Sequence, residues 1–371
     1  MKNNYRTSQL ITYLGNKRSL LPFIEQTVIK TKNILGKEKL TCFDGFSGSG
    51  AVARMLKAHS KALAINDLER YSYVSNKCFL TNRSAIDISA LKDRIDYYNN
   101  IKLVCDLEKG FIEELYAPKN DNDIKAGERV FYTNNNAKII DNLRRQMRSY
   151  DWHCIAPLLY KASVHNNTCG VFKGFYSEKR VKDVPTVGKF GGIGENALQR
   201  IKGKITLDMP IFSEYECYVD YFQEDTNQLV KNLYEVDFAY YDPPYNQHPY
   251  GSNYFMLNLI ADYKRPKSAI SRVAGIPEKW NRSSYNKRQE VSNVLDKLIE
   301  DTPAKIIALS YSSGGFLTQE QIIDILKKYG KVSIEEQDYV AYRAGKNLRD
   351  KEGNLTRSTK VKEFLFFLEK K

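Results

Sequence analysis

The sequence has few of the residues that tie small secreted domains or metal sites together. Its 371 residues contain six cysteines, scattered from Cys42 to Cys217, and no two of them form a Cys-x-x-Cys pair. This scatter argues against a zinc ribbon or a disulfide framework and favours reduced, buried thiols. The four histidines show no spacing typical of a ligand set, so we expect no metal ion.

Long apolar runs are also missing. No uninterrupted apolar stretch approaches the roughly 18 residues that cross a bilayer. The N-terminus "MKNNYRTSQLITYLG" lacks the apolar core of a secretion signal. The sequence contains no internal repeat and no low-complexity tract. These absences predict a soluble, cytoplasmic protein without a membrane partner.

Acidic residues are outnumbered by basic ones. The chain carries 44 Asp and Glu against 57 Lys and Arg, which gives a formal net charge of +13. Such an excess suggests an anionic partner, most often nucleic acid, although a lysine-rich genome would produce the same balance. Apolar residues make up 42% of the chain, enough for one or two domains with a large core.

Strand and helix patterns alternate at both ends of the chain. "KLTCFDGF" (39–46) predicts a strand that runs into the glycine-rich "SGSG", and "KALAIND" (61–67) predicts a second strand. A helical pattern follows each of them, and this order is typical of an open, mostly parallel α/β sheet. Further strand patterns follow at 217–222, 236–242, 304–312 and 361–370.

The middle of the chain interrupts this pattern. Residues 85–212 are polar and predicted to be rich in loops. The window 160–204 holds nine Lys or Arg against three Asp or Glu. We therefore predict one α/β domain built from 1–84 and 213–371, with an inserted basic domain at 85–212.

Two segments near the N-terminus carry residues suited to a small ligand. Gly48 and Gly50 in "FDGFSGSG" allow a sharp turn after a strand, although their spacing differs from Gly-x-Gly-x-x-Gly and a plain turn is an alternative. Asp67 ends the next strand, where it could accept hydrogen bonds from ribose hydroxyls or cap a helix. Tyr13 and Lys17 offer a ring and a cation to a zwitterionic, adenine-bearing ligand, or belong to a solvated loop.

The tetrapeptide "DPPY" ends the strand pattern at 236–242. Pro243 and Pro244 fix the backbone in a rigid turn at the carboxyl end of a strand, where open α/β sheets bind ligands. Asp242 and the Pro243 carbonyl supply two hydrogen-bond acceptors, and Tyr245 supplies a flat ring. Two acceptors beside an aromatic ring suit the exocyclic amino group of a planar base.

Four pieces in this order resemble the Dam-type, alpha-group N6-adenine DNA methyltransferases: "YLGNKRSLLPFI", "FDGFSGSGAV", "IND" and "DPPY". The resemblance covers roughly 1–80 and 215–371, and "DPPYNQHPYGSNYFMLN" and "TCGVFKGFY" look most similar to the FokI and NlaIII type. It implies a Rossmann-like, S-adenosylmethionine-dependent methyltransferase fold with a mixed, mostly parallel seven-stranded sheet. The insertion at 85–212 would then be the target-recognition domain.

The resemblance also implies a set of residues that bind S-adenosylmethionine. Tyr13 stands where the family often has tryptophan, and the backbone of Phe46–Gly50 would border the methionine part of the cofactor. Between Glu224 and Asp225 we favour Asp225 as the partner of the cofactor adenine. The predicted cofactor site comprises Tyr13, Lys17, Asp44, Phe46, Gly48, Gly50, Asp67, Asp225 and Asp242.

By the same resemblance, the activity is site-specific methylation of adenine N6 in double-stranded DNA. The adenine would flip out of the duplex and stack on Tyr245, while Asp242 and the Pro243 carbonyl accept hydrogen bonds from N6 and Pro244 stiffens the turn. A restriction-modification system would add a restriction endonuclease that acts separately. Methylation of N4-cytosine or of an RNA base, and a catalytically dead DNA-binding protein, are the alternatives.

The insertion contains the predicted DNA contacts. "LYKASVHNNTCGVFKGFYSEKRVKD" (159–183) mixes aromatic, amide and basic side chains, which can wedge into a base stack, bind base edges or contact phosphates. Each of them could instead belong to a solvated loop. The candidates are Asn166, Asn167, Lys173, Phe175, Lys179 and Arg180. The segment "NQHPYGSNY" after "DPPY" is predicted to be a mobile loop over the pocket.

Overall fold

A seven-stranded sheet forms the centre of the molecule. The computed structural model describes residues 5–100, 107–178, 186–192, 196–340, 348–349, 355–357 and 360–371. The strands in this part of the chain are β1 (Leu40–Asp44), β2 (Ser60–Asn66), β3 (Tyr218–Phe222), β4 (Val236–Tyr241), β5 (Ala304–Ser312), β6 (Gly330–Val340), β7 (Leu348–Arg349), β8 (Leu355–Arg357) and β9 (Lys360–Lys370).

Helices cover both faces of the sheet, and five helices of the described residues lie in the insertion. Short 3₁₀ turns lie at Arg18–Leu20, Arg83–Ala85 and Ser284–Asn286. The helices of the described residues are α1 (Leu21–Leu35), α2 (Ala51–Lys57), α3 (Arg70–Phe79), α4 (Ile88–Asn99), α5 (Phe111–Tyr116), α6 (Asn134–Gln146), α7 (Trp152–Val164), α8 (Ala197–Lys202), α9 (Thr226–Leu229), α10 (Tyr250–Asn253), α11 (Phe255–Asp262), α12 (Val291–Asp301) and α13 (Gln319–Lys327).

The strand order is β3-β2-β1-β4-β5-β9-β6. Strands β1 to β5 run parallel, and β9 pairs antiparallel with β5 on one side and with β6 on the other. This arrangement confirms the predicted mixed, mostly parallel sheet of seven strands. The direction of winding changes between β1 and β4, so a crevice opens at the carboxyl ends of these two strands.

Apolar side chains from β4 fill both faces of the sheet. All six residues of β4 are buried, as expected for a central parallel strand that has helices on both sides. Phe238 and Tyr240 pack with α1 and α2. Ala239 and Tyr241 point the other way and pack with α12 and α13. The carboxyl end of β4, which carries Asp242, is thereby held between two apolar layers.

The insertion is more helical than its composition predicts. Helices α4 to α8 lie within residues 85–212, which the sequence presents as rich in loops. Their apolar core also includes side chains of α3 and α11, which belong to the other part of the chain. Arg144 of α6 joins the two parts directly, because its guanidinium donates hydrogen bonds to the carbonyls of Ile260 and Ala261. The boundaries of the inserted domain at 85 and 212 stay a prediction.

None of the helices in the described ranges is both long enough and apolar enough to cross a membrane.

Candidate active site

An open cleft lies at the carboxyl ends of β1, β2 and β4. Most of the residues predicted to bind the cofactor line it together, although they come from five separate parts of the chain. Gly50, Pro243 and Tyr245 are not among the lining residues. The predicted residues that line the cleft are Tyr13, Lys17, Asp44, Phe46, Gly48, Asp67, Asp225, Asp242 and Pro244.

The turn between β1 and α2 requires glycine at two positions. Gly48 and Gly50 have φ angles of +50° and +80°, in the left-handed region that other residues rarely adopt. A Cβ atom on Gly48 would lie 2.9 Å from Cε1 of Tyr13, and one on Gly50 would lie 2.6 Å from Oδ1 of Asn76. Gly48 therefore shapes the wall of the cleft, while Gly50 lets the turn pack closely against Asn76 of α3.

Asp67 ties this turn to the end of β2. Its Oδ2 atom accepts a hydrogen bond of 2.7 Å from the Gly48 amide, and its Oδ1 atom accepts one of 2.8 Å from the Glu69 amide. Burial raises the pKa of Asp67 to about 6, although these two amides oppose the rise. The side chain faces the cleft and also fixes the backbone around it.

Glu69 is a cleft residue that the sequence analysis does not identify. Its Oε2 atom accepts hydrogen bonds from the side-chain amides of Asn258 and Asn281. Burial raises the pKa of Glu69 to about 7. Its position two residues after Asp67 is the only hint of this role, because its two amide partners lie far away in the sequence.

Asp44 places a buried carboxylate in the cleft. The side chain is completely buried at the end of β1, and among the described residues neither oxygen has a hydrogen-bond donor with ordinary geometry. Burial and the nearby charge of Asp67 raise its pKa well above the usual value, and the backbone amides of Phe46 and Ala53 lower it only in part. A buried acceptor that lines a cleft in this way suits a ligand that brings a cation or N–H donors.

Lys17 is at the centre of a charged triad with Asp242 and Glu363. Its Nζ atom lies 2.8 Å from Oδ2 of Asp242 and 3.3 Å from Oε1 of Glu363, and it also donates to the Gly15 carbonyl. The two carboxylates raise the pKa of Lys17 well above its usual value although burial opposes them. The sequence predicts Lys17 as the partner of a ligand carboxylate, whereas the structure pairs its ammonium group with two carboxylates of the chain itself.

The pKa of Asp242 reflects opposing influences. Partial burial raises it to about 6, Glu363 adds to the rise, and the Lys17 ammonium lowers it. Glu363 belongs to β9 and is itself buried, so a second carboxyl group lies behind that of Asp242. The triad has two carboxylates and one cation, and its net charge is negative when both carboxylates are ionised.

Tyr245 lies beside the cleft at the end of the "DPPY" turn. Its carbonyl accepts a hydrogen bond from the Phe316 amide, and its ring meets that of Tyr311 edge to face at 6.0 Å. A Cβ atom on Gly15 would lie 3.7 Å from the Tyr245 hydroxyl oxygen, so the ring is next to the loop that carries Lys17. Pro243 is buried, which keeps the turn rigid.

The segment after "DPPY" is ordered by stacking, contrary to the predicted mobile loop. Helix α10 begins at Tyr250, whose ring stacks on that of Tyr13 with centroids 5.0 Å apart and planes 12° apart. The Tyr250 hydroxyl donates to the Leu14 carbonyl at 3.2 Å. Tyr254 stacks on Tyr13 as well, at 4.9 Å. These contacts make the segment a wall of the cleft.

Another wall comes from the segment before α12, which the sequence analysis does not identify as part of the site. Asn281, Ser283, Tyr285 and Asn286 line the cleft. Asn281 donates to the Leu68 carbonyl at 2.9 Å, and Asn286 donates to the Asn246 carbonyl at 2.7 Å. This stretch has neither helical nor strand periodicity, so no pattern marks it.

Both candidates for the cofactor adenine line the cleft. Asp225 caps α9 by accepting a hydrogen bond from the Gln228 amide at 3.2 Å. The backbone of Glu224 is fixed by a hydrogen bond from its amide to the Asn66 side chain. The preference for Asp225 stays a prediction.

Two of the predicted DNA contacts point into the protein, which corrects the prediction. Asn166 and Asn167 are 3% and 0% exposed. Asn166 donates to the Ala162 carbonyl, and Asn167 donates to the carbonyls of Val130 and Lys189. Irregular backbone needs such partners when it is buried, so both amides hold the insertion together.

The remaining candidates differ in their position. Lys173 is exposed to solvent. Phe175 is half-buried, and its ring packs edge to face against that of Phe131 at 5.2 Å. Lys179 and Arg180 lie outside the described residues. In the part of the chain that the structure describes, no three His, Cys, Asp or Glu side chains come together as a metal site would require.

Comparison with known proteins relates the chain to DNA methyltransferases. The model of a family described as D12 class N6 adenine-specific DNA methyltransferase matches residues 13–329. The chain is 28% identical to the type II methyltransferase M.NlaIII of Neisseria lactamica, over 97% of this chain and 99% of that protein. It is 27% identical to the type II methyltransferase M.CviAII of Paramecium bursaria Chlorella virus 1, over 96% and 98%. The type II methyltransferase M.FokI of Planomicrobium okeanokoites is 28% identical over 96% of this chain and 52% of its own length.

Proposed function

The chain belongs to the D12 class of N6 adenine-specific DNA methyltransferases, and we propose that it transfers a methyl group from S-adenosylmethionine to an adenine flipped out of double-stranded DNA. The observation that carries the proposal is the position of Asp242, at the carboxyl end of β4 beside the cleft and in contact with Lys17. The family description already gives adenine-specific DNA methylation. What we propose beyond it is the cofactor, the role of each residue and the course of the reaction.

The residues of the cleft fit S-adenosylmethionine. The unpartnered Asp44 carboxylate suits the cationic part of such a ligand, and the backbone at Gly48 leaves room that a Cβ atom would fill. Asp67 and Glu69 offer carboxylate oxygens to ribose hydroxyls, and Glu224 or Asp225 faces the adenine. When bound, S-adenosylmethionine supplies the methyl group for transfer.

The "DPPY" turn holds the target base. Asp242 and the Pro243 carbonyl accept hydrogen bonds from the amino group, which orients N6 toward the cleft, and Tyr245 stacks on the base. Flipping a base costs a few kcal/mol, and base–aromatic stacking returns about 1–3 kcal/mol. Tyr245 therefore offsets much of the cost of extracting the adenine.

The charged triad stabilises the transition state. Positive charge develops on N6 as it gains a methyl group, and the ionised Asp242 carboxylate and the Pro243 carbonyl dipole favour that charge. Lys17 orients Asp242 and keeps it ionised, while Glu363 holds Lys17 from behind. Lys17 thus positions the target base indirectly, through Asp242, and it also lines the cofactor site.

The insertion at 85–212 recognises the DNA sequence in this proposal. Lys173, Lys179 and Arg180 would contact phosphates, and Phe175 would contact a base, while the α/β domain at 1–84 and 213–371 carries out the transfer. The type II relatives indicate that the protein serves as the modification enzyme of a restriction-modification system. A restriction endonuclease acting separately would be its cognate partner.

The proposal is tested by transferring a tritiated methyl group from S-adenosylmethionine to genomic DNA that carries no prior methylation. Digestion to nucleosides should place the label in N6-methyldeoxyadenosine. Label in N4-methylcytosine, or in RNA but not in DNA, would contradict the proposal. Isothermal titration calorimetry with S-adenosylmethionine should show binding, and its absence would indicate a dead scaffold.

Two substitutions of Tyr245 distinguish the contribution of its ring to catalysis from that of its hydroxyl group. Tyr245→Ala should lower kcat/KM by about 5- to 150-fold, which corresponds to the loss of about 1–3 kcal/mol of stacking. Tyr245→Phe keeps the ring and should retain most of the activity. Steady-state methylation assays at matched cofactor saturation check both values. An equal loss in the two variants would mean that the hydroxyl, and not the ring, supports the reaction.

A further inference from the structure

A strongly basic segment joins α11 to α12. Residues 264–288, which we call the basic linker, contain eight Lys or Arg and one acidic residue, Glu278. This bias exceeds that of the 160–204 window in the insertion. All eight cations are exposed to solvent: Lys264, Arg265, Lys267, Arg272, Lys279, Arg282, Lys287 and Arg288.

Most of these cations have no carboxylate partner. Arg265 pairs with Glu114 at 2.6 Å, and Lys287 pairs with Glu290 at 2.8 Å. The other six form no ion pair with any described residue. Clustered cations repel one another, so their proximity favours the binding of an anion with many charges.

Side chains near the end of the basic linker point in turn into the cleft and toward solvent. Asn281, Ser283 and Asn286 line the cleft, while Lys279, Arg282 and Arg288 face outward. The inward side chains fix the segment through the hydrogen bonds of Asn281 and Asn286 to the Leu68 and Asn246 carbonyls. The outward cations are therefore held at the rim of the cleft.

Aromatic rings orient two of the rim arginines. The Arg282 guanidinium lies 4.0 Å from the centre of the Trp280 ring, and that of Arg288 lies 4.9 Å from the centre of the Phe316 ring. Phe316 in turn donates its amide hydrogen bond to the Tyr245 carbonyl. A guanidinium stacked on a ring keeps its edge donors available for phosphate oxygens, at a lower cost in side-chain entropy.

The other half of the linker is anchored on the insertion. The Tyr116 hydroxyl donates to the Gly275 carbonyl at 2.8 Å, and the Arg129 guanidinium donates to the carbonyls of Ser271 and Arg272. The linker thus bridges the insertion and the catalytic cleft as a fixed surface.

We propose that Lys279, Arg282 and Arg288 bind the DNA phosphates that flank the flipped adenine. This inference rests on the proposed function. A flipped nucleotide rotates about its backbone, so the base enters the cleft while the neighbouring phosphates stay at the rim. Three cations fixed around that rim match these phosphates in charge and position. Because phosphates carry no sequence information, the contacts strengthen binding to target and non-target DNA alike.

The test compares two triple variants with the wild-type protein. The rim variant carries Lys279→Gln, Arg282→Gln and Arg288→Gln. The control variant carries Lys61→Gln, Lys231→Gln and Lys327→Gln, which remove the same charge from exposed positions near the opposite edge of the sheet, where β2, β4 and β6 begin. Fluorescence anisotropy with a labelled mixed-sequence duplex gives Kd between about 50 and 200 mM salt.

The rim variant should bind DNA at least about tenfold more weakly at roughly 100 mM salt. Its log–log salt slope should fall by up to about 2.7, at roughly 0.9 for each lost phosphate contact. The control variant should keep a slope close to the wild-type value, and both variants should bind S-adenosylmethionine as the wild type does. A rim slope equal to that of the control would overturn the inference. Failure of the wild type to methylate DNA would instead overturn the proposed function.

Discussion

Replacement of Asp242 by alanine is expected to lower kcat for methyl transfer by about a hundred- to a thousandfold while DNA binding survives. The loss follows because the carboxylate is the charged acceptor next to the nitrogen on which positive charge develops, and one such group contributes roughly a hundred- to a thousandfold. Lys17 keeps Glu363 as its ion-pair partner in this variant, so no buried cation is left alone. Single-turnover methylation and fluorescence anisotropy on the same duplex measure the two properties.

The matched control is Asp242→Asn, which keeps the shape of the side chain and one acceptor oxygen but removes the charge. We expect it to be more active than Asp242→Ala and far less active than the wild type. Near-normal turnover in Asp242→Ala would exclude the carboxylate from the reaction.

Replacement of Lys17 by methionine should lower kcat at neutral pH by about a hundredfold. The ammonium group is the cation that lowers the pKa of Asp242, and without it Asp242 and Glu363 face each other as like charges. Like charges raise carboxyl pKa values, so Asp242 takes up a proton and loses its role as a charged acceptor. Steady-state assays across a pH series check this.

The pH dependence of the activity shows in which direction Lys17 and Glu363 shift the pKa of Asp242. Asp242 must be ionised to act, so wild-type kcat/KM should fall as the pH falls through about 6. In Lys17→Met this acid limb should move to higher pH. The double variant Lys17→Met with Glu363→Gln removes the second charge and should move the limb back toward the wild-type position. Identical profiles for the single and double variants would contradict the coupling between Glu363 and Asp242.

The sheet could be predicted because its strands leave simple patterns. A strand such as β4 is buried on both faces, so its sequence before Asp242 is apolar except for Asp237, which pairs with Lys37. The insertion gives no such signal. Helix α6 buries Asn136, Asp141, Asn142 and Arg144, and these polar groups are paired by hydrogen bonds, so composition alone suggests exposed loops.

The site was predictable where its chemistry is local. The roles of Gly48 and of the "DPPY" turn depend on a few adjacent residues, so a short motif is enough to predict them. Glu363, Tyr250 and Asn281 gain their roles only from partners far away in the sequence, which no spacing rule reaches. Asn167 shows the opposite error, because an amide next to aromatic and basic residues suggests a DNA contact yet serves buried backbone.

The place of β9 in the sheet has a consequence for protein synthesis. This strand follows β6 in the chain, yet it lies between β5 and β6, and it carries Glu363. On the ribosome, β6 has no described strand to pair with until β9 has been translated, and Lys17 lacks its Glu363 partner until then. Pairing across the long separation between Lys17 and Glu363 forms late in folding. Nascent chains are therefore expected to stay inactive until β9 has left the ribosome.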